Sequence, residues 1–367
     1  MKAIPLLIPD MPDADAISPY LRRLDFARRY TNFGPLVMEL EHALARALGE
    51  PRPHVVTVAN CTLGLEIALA ALGLDPGAKV LLPALTFVAS ASAVFRAGLV
   101  PVLADVNEHT WLLTPEIARD ALRQHKLGCI IPVATFGCPQ PPAGWDQFVR
   151  ETGIPVLIDA AGGFGNQVIG EAATVVFSFH ATKSLGMGEG GAVVSRDPAY
   201  VDRVRRLSNF GIDLSLGLST ATGTNAKMSE YHAAVGHAAL KRWHERYSLR
   251  QSLHGFYCDQ LSRLCPAVEL QARPRNGSYT IMQVALPTET SRDSVMLALA
   301  DMNIETRRWY LPLLPDHPAC ASVATCDLST VRRLGPRMLG LPFHLELTEK
   351  SVIWLCSALA KVLATTE

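Results

Sequence analysis

One lysine, Lys183, stands between two apolar runs, Thr174-Val175-Val176-Phe177 and Ala192-Val193-Val194-Ser195. It closes the stretch Phe177-Ser178-Phe179-His180-Ala181-Thr182-Lys183 and opens a glycine-rich segment, Gly186 to Gly191. Most of the 34 basic residues are arginine, so a lysine beside two buried strands needs a reason. In one reading it snorkels its charge out of a loop. In the other it is a nucleophile: lysine loses its proton readily when partly desolvated, which suits it to Schiff-base chemistry. The neighbouring glycines would let backbone and a bulky ligand come close.

Other residues that could do chemistry fall, like Lys183, just past apolar runs. Asn60-Cys61-Thr62 joins a strand pattern to a helix pattern. Free N–H groups and the helix dipole there favour a phosphate, with the Thr62 hydroxyl as a further donor, or the site is a plain cap. Asp159 follows a buried run and precedes Ala160-Ala161-Gly162-Gly163. It either caps what comes next or pairs with a cationic ligand atom. Phe87 lies beyond Pro83-Ala84-Leu85-Thr86, where a single aromatic by itself reads as core. Each site alone is weak. Together they are the parts that pyridoxal 5'-phosphate requires: an amine for its aldehyde, a carboxylate for its ring nitrogen, a flat surface for its face and a helix terminus for its phosphate.

Rival chemistries lack their signatures. The Gly186-x-Gly188-x-Gly190 run precedes a strand, whereas a dinucleotide loop follows one and opens a helix. There is no GxxxxGK[ST] loop and no G-x-S-x-G elbow. The 11 histidines and eight cysteines show no metal-ligand spacing and no CxxC pair, which fits a reducing cytoplasm.

The elements that must position these residues alternate from residue 54 onward. Strands are expected over 54–59, 79–83, 100–105, 128–134, 155–159, 174–178 and 192–195. Helices are expected over 62–72, 87–96, 114–125 and around 145–150. Such alternation means crossover units and a mostly parallel sheet between helix layers, whose carboxyl strand ends are where ligands bind. Before it, Ser18-Pro19 reads as a helix start, and Leu36, Leu40, Leu44 and Leu48 form a second helix stopped by Gly49. After it come a helix from Asp197-Pro198, a glycine-rich stretch (211–223) and one long helix over 229–264. The remainder holds a strand over 278–286, a helix over 291–302, a strand over 304–311 and a terminal helix capped by Thr348. The expected division is a large α/β domain over 1–240, its N-terminal segment packing on the small domain, and a small α+β domain over 241–367.

Composition agrees with a soluble globular chain. It has 367 residues, 49% hydrophobic and 19% charged, with zero formal net charge. That balance gives no argument for attraction to nucleic acid or anionic membrane, and no run reaches the roughly 20 apolar residues of a span. The opening Met1-Lys2-Ala3-Ile4-Pro5 does not read as a signal peptide.

Three segments carry a family resemblance: Asp159-Ala160-Ala161, Ser178-Phe179-His180-Ala181-Thr182-Lys183 and Gly188-Glu189-Gly190-Gly191-Ala192-Val193-Val194. With their spacing, they resemble the DegT-type sugar aminotransferases, fold-type I pyridoxal phosphate enzymes. The likeness runs from Tyr30-Thr31-Asn32-Phe33-Gly34-Pro35 to Leu341-Pro342-Phe343-His344, through Asn225-Ala226-Lys227-Met228-Ser229-Glu230. It implies that Lys183 holds the cofactor covalently and later shuttles the proton. Asp159 would pair with the ring nitrogen, Phe87 would pack on the ring, and Cys61, Thr62 and Ser178 would hold the phosphate. Asn225 would reach the phosphate of a neighbouring subunit, so the site would be shared across a homodimer.

The resemblance further implies an amino donor, L-glutamate, and a nucleotide-linked keto-sugar acceptor. Asn209-Phe210-Gly211 and Arg307-Arg308-Trp309-Tyr310 resemble members that aminate a 4-keto-6-deoxy sugar. The chain departs from the pattern at Gly162, where many relatives carry Gln or His against the ring oxygen. It departs also at Cys61, usually Gly, at Ala226-Lys227, usually aromatic-Arg, and in a shorter 165–173 segment. Two alternatives stay open. One is a pyridoxamine-dependent sugar dehydratase, whose members replace the lysine by histidine. The other is a non-catalytic regulatory protein on the same fold.

Overall fold

The computed structural model describes residues 3–49 and 51–366, with nothing said of the side chain of residue 366. Two helices come first, α1 (Ala14–Ala27) and α2 (Pro35–Ala47). The α1 start is not Ser18-Pro19: Asp13 caps it, accepting from Ala16 N at 2.9 Å, and Pro19 lies inside the helix. An interior proline removes a backbone hydrogen bond and crowds the preceding turn, costing a helix roughly 3 kcal/mol. The earlier cap and the burial of Leu24 against the core offset that loss.

The alternating region folds as expected, with boundaries moved by a few residues. Its strands are β1 (His54–Val58), β2 (Lys79–Pro83), β3 (Val100–Ala104), β4 (Leu127–Ile130), β5 (Leu157–Ala160), β6 (Thr174–Ser178) and β7 (Gly191–Ser195). The helices between and after them are α3 (Cys61–Ala71), α4 (Val88–Arg96), α5 (Pro115–Ala121), α6 (Pro142–Thr152) and α7 (Pro198–Leu207). One ladder runs β1-β7-β6-β5 and another joins β3-β2-β4. Parallel bridges Ile130↔Val156 and Val133↔Asp159 connect the two. Only β7 runs antiparallel to its neighbours there; the other pairings are parallel.

Side chains alternate across this sheet. Val175 and Phe177 join a cluster with Leu40, Leu44 and Trp145, while Val176 joins the opposite cluster with Leu65, Leu82 and Trp111. Each fully buried Leu or Phe contributes about 1.5–3 kcal/mol, so both faces are strongly covered and the strand ends are held fast. Since β1, β2, β5 and β6 point the same way, Asn60, Phe87, Asp159 and Ser178 all emerge at one edge.

The glycine-rich stretch forms a small hairpin, β8 (Ile212–Asp213) with β9 (Leu218–Ser219). The single long helix is in fact two, α8 (Glu230–Lys241) and α9 (Trp243–Leu264). Arg242 leaves helical geometry at the break, and its guanidinium donates to Asp10 Oδ1 at 2.8 Å. A third cluster gathers Tyr257, Leu261, Val284, Leu339, Leu355 and Leu359. It is built from α9, β10 (Glu269–Leu270), β11 (Met282–Ala285), α10 (Arg292–Asp301), β13 (Met338–Leu341) and α12 (Glu349–Thr366). Thr348 caps α12, accepting from Ser351 N at 3.2 Å. Between α10 and β13 lie β12 (Ala324–Thr325) and α11 (Ser329–Leu334); β12 pairs parallel with β3, which the sequence pattern did not announce.

The strand expected over 304–311 does not form. Only Ile304 pairs with Ile4 and Arg307 with Gly340. Beyond them the chain turns, with Leu311 N donating to Arg308 O, and sends Trp309 and Tyr310 toward the strand ends.

Candidate active site

A cavity of about 650 Å³ opens at that edge. Six of the expected residues line it: Cys61, Thr62, Phe87, Asp159, Ser178 and Lys183. The seventh, Asn225, is exposed and outside this lining; its Oδ1 accepts from Lys227 Nζ at 2.7 Å.

Part of the surface of Lys183 opens on the cavity, and the rest is crowded by protein. Burial lowers its pKa, while Cys61 and Asp159 raise it in part. A lysine so placed gives up its proton more easily than one in water. Asp159 is the last residue but one of β5 and is 5% exposed. Burial raises its pKa; Ser90, the Ala161 N–H and Lys183 pull it back. Its Oδ2 accepts from Ser90 Oγ at 2.8 Å and its Oδ1 from Ala161 N at 3.1 Å. Buried yet supplied with donors, the carboxylate stands ready for a cationic partner inside the cavity.

At the start of α3, Asn60 Oδ1 accepts from Leu63 N at 2.9 Å. The N–H groups of Cys61 and Thr62 precede the first carbonyl that could satisfy them within the helix. Both residues line the cavity, so these donors and the positive helix end form an anion cradle. Gly191 lets β7 abut this turn: a Cβ there would meet Cys61 N and Phe177 O, each at 2.9 Å. The Cys61 thiol itself is buried, its pKa pushed well up by desolvation.

Phe87 precedes α4 with 56% of its surface exposed, a large apolar face left for a flat ligand. Its ring lies 6.0 Å from that of Tyr310, which stacks on Phe136 at 5.2 Å and 13°. This aromatic wall was not anticipated. Phe136 sits in a left-handed turn (φ 56°) after β4, a conformation that no run of apolar residues signals. Gly162 packs against the same turn, where a Cβ on it would meet Gly137 N at 3.3 Å. A Cβ on Gly137 would meet the Gly162 carbonyl oxygen at 2.8 Å, so these two loops touch backbone to backbone. Ser90, too, went unnoticed in the sequence, as a serine inside a helix carries no signal of its partner. Of the segments thought to mark the sugar, Trp309 and Tyr310 line the cavity, whereas Arg308 pairs with Asp293 at 3.0 Å and Asn209 pairs with Asn225 through the backbone.

The donor set fits pyridoxal 5'-phosphate: a poised amine, a buried carboxylate, an anion cradle and an open aromatic face around one cavity. No group of His, Cys, Asp and Glu among the described residues could hold a metal ion.

Comparison with known proteins agrees. A profile described as the DegT/DnrJ/EryC1/StrS aminotransferase family matches residues 13–360. GDP-perosamine synthase of Caulobacter vibrioides is 32% identical over 351 residues, 91% of each chain. The dTDP-4-amino-4,6-dideoxy-D-glucose transaminase of Shigella dysenteriae is 29% identical over 363 residues, 96% of this chain and 97% of that one. The crystal structure of DesI in the presence of its TDP-sugar product superposes with a TM-score of 0.88 at 30% identity, covering 99% of this chain and 93% of that one.

Proposed function

Since the chain belongs to the DegT/DnrJ/EryC1/StrS aminotransferase family and is a pyridoxal phosphate-dependent aminotransferase, we propose that it aminates a nucleotide-linked keto-sugar. L-glutamate is the amino donor in this reading and a 4-keto-6-deoxy sugar the acceptor. The support is the pair of relatives named for 4-amino-4,6-dideoxyglucose and perosamine and a cavity large enough for more than the cofactor. The enzyme then works in the cytoplasm, in amino-sugar biosynthesis, as a homodimer. It has a large domain over 1–240 and a small one over 241–367.

When bound, pyridoxal phosphate supplies an aldehyde that takes up an amine and a ring that draws electrons from the carbon bearing it. Every other role falls to the chain. Lys183 Nζ would bind the aldehyde and, when free, would take the proton from the donor's amine-bearing carbon. The same amine would return a proton to the sugar carbon. Asp159 would keep a proton on the ring nitrogen. The N–H groups of Cys61 and Thr62, with Ser178, would hold the phosphate, and Asn225 of a second protomer would add a donor. Phe87 would cover one ring face and exclude water from it.

The observation that carries this reading is the convergence of Lys183 and Asp159 on one cavity with the α3 terminus. The test is to load the enzyme with pyridoxamine phosphate and add a panel of nucleotide keto-sugars. Cofactor absorption returns to the aldehyde form with the true acceptor. If simple keto acids alone restore it, the sugar assignment is wrong.

A further inference from the structure

Behind Lys183 lies a second, narrow recess of about 20 Å³. It shares Leu7, Thr182, Lys183 and Thr280 with the main cavity, and its far wall is made by Asp10, Arg250 and His344. Arg242, Arg246 and Arg250, at successive i+4 positions, all turn to Asp10, at 2.8, 3.9 and 2.9 Å. Three guanidiniums face one carboxylate, so positive charge is in excess. Arg250 is 4% exposed, and its Nη1 has no hydrogen-bond partner among the described residues. His344 is 7% exposed, and neither ring nitrogen has a partner of normal geometry there. Burial pushes the His344 pKa down, offset in part by Glu346 and the Pro5 backbone.

Leaving buried donors unmade is costly, about 1–3 kcal/mol each and more for a charged group. Two such side chains converging on one recess imply a ligand that completes them. It must be anionic, to balance the guanidinium excess, and its tip must be small, since the recess admits one water-sized group. It must also come with something that acts at Lys183, which forms the common wall. No arginine lines the main cavity among the described residues, so within one chain an amino acid entering it finds no other guanidinium for its carboxylate.

We propose that this recess, between Lys183 and the Arg250–His344 pair, is the carboxylate subsite for the amino donor. One carboxylate oxygen of the donor enters it, accepting from Arg250 Nη1 and a His344 ring N–H, while the donor amine stays in the main cavity at Lys183. The inference rests on the reading of an amino-acid donor. It also explains a chain that spends three arginines on a single aspartate next to its catalytic lysine.

The test uses the holoenzyme and glutarate, a dicarboxylate without an amine, with binding measured by calorimetry. Arg250→Gln is expected to weaken glutarate about tenfold or more, as loss of a charge-assisted bond does, and Arg250→Lys to restore part of it. His344→Asn, which breaks no hydrogen bond of normal geometry in the fold, is expected to weaken glutarate as well and decides the matter if Arg250→Gln melts. Half-saturation by L-glutamate, followed through cofactor absorption, should rise in parallel. Glutarate that ignores the wild type, or binds His344→Asn and Arg250→Lys as it binds the wild type, overturns the subsite. If glutarate binding depends on these residues but L-glutamate leaves the cofactor absorption unchanged, the subsite stands and the donor is another amino acid. If L-glutamate is consumed and the variants match the wild type, the donor stands and the subsite falls.

Discussion

Ser90 Oγ donates to Asp159 Oδ2 at 2.8 Å, and Thr86 Oγ1 lies 2.9 Å from Ser90 Oγ. These buried hydroxyls tie the carboxylate at the end of β5 to the turn after β2, the turn that also presents Phe87. The groups proposed to grip the ring nitrogen and the ring face are therefore fixed to one another before any ligand arrives. Catalysis gains from such preorganisation because no group has to be reoriented at the moment of reaction.

Ser90→Ala removes the largest of the contributions that hold the Asp159 pKa down against its burial. Its carboxyl should therefore titrate at higher pH than in the wild type. A protonated carboxyl cannot hold the ring nitrogen as an ion pair, so cofactor affinity should begin to fall at a higher pH as the solution is acidified. Fluorescence titration of cofactor between pH 5 and 8 reads this directly. Ser90→Thr should return the profile to that of the wild type; superimposable profiles for all three proteins would leave Ser90 a packing residue.

Asp159→Asn tests the same carboxylate through stability. Burial raises the folded-state pKa of Asp159 above its usual value near 3.8. Between those two values the folded chain binds more protons than the unfolded one, so the contribution of Asp159 to stability is lost as pH rises through the window. Asparagine has nothing to titrate. In cofactor-free protein, the melting temperature of Asp159→Asn relative to wild type should climb with pH and stay higher at neutrality. The loaded variant should convert cofactor slowly with L-glutamate, because an amide cannot keep the ring nitrogen protonated. Equal melting curves at all pH values would show that Asp159 titrates as it does in water.

How much of this was legible before folding depended on range. Apolar runs bounded by polar or turn-forming residues gave away every strand from 54 to 195, and with them the edge where Asn60, Phe87, Asp159 and Ser178 emerge. Local signals misled where a distant partner outweighed them. Pro19 was absorbed into a helix already started by Asp13, Arg242 broke a helix to reach Asp10, and Trp309-Tyr310 left a strand-like run for the cavity. The site divided along the same line. Lys183 and Asp159 are legible because their setting is a strand end in sequence. Ser90, Phe136 and His344 are not, because nothing nearby in the chain announces the atoms they face.

Lys183→Ala removes the amine that the cofactor aldehyde is proposed to bind. A wild-type chain reduced with borohydride in the presence of pyridoxal phosphate should gain the cofactor's mass on the peptide containing Lys183, and the variant should gain none there. Turnover should be lost with no large change in melting temperature, since a partly exposed amine contributes little packing. Wild-type turnover in this variant would remove the basis for the proposed chemistry.

Asn225 tests whether the site is shared. Within one chain it is exposed, bonded to Lys227 and apart from the cavity lining, which suits a residue that serves a second protomer. If it donates to the phosphate there, each cofactor is held by two chains, and cofactor and dimer stabilise one another by mass action. Losing one hydrogen bond to a charged group costs about 1.5–3 kcal/mol, roughly tenfold or more in retention. Asn225→Ala should therefore shed cofactor on dilution sooner than wild type, yet turn over at saturating cofactor because Lys183 is intact. Mixing Asn225→Ala chains with Lys183→Ala chains separates the two geometries. With Asn225 acting across the interface, a mixed dimer has one site carrying both lesions and one site carrying neither, so full-affinity activity reappears in the mixture. With Asn225 acting on its own chain, each site of the mixed dimer keeps one lesion. Equilibrium dialysis and activity on the same mixtures should then show no recovery, and the shared site would be wrong.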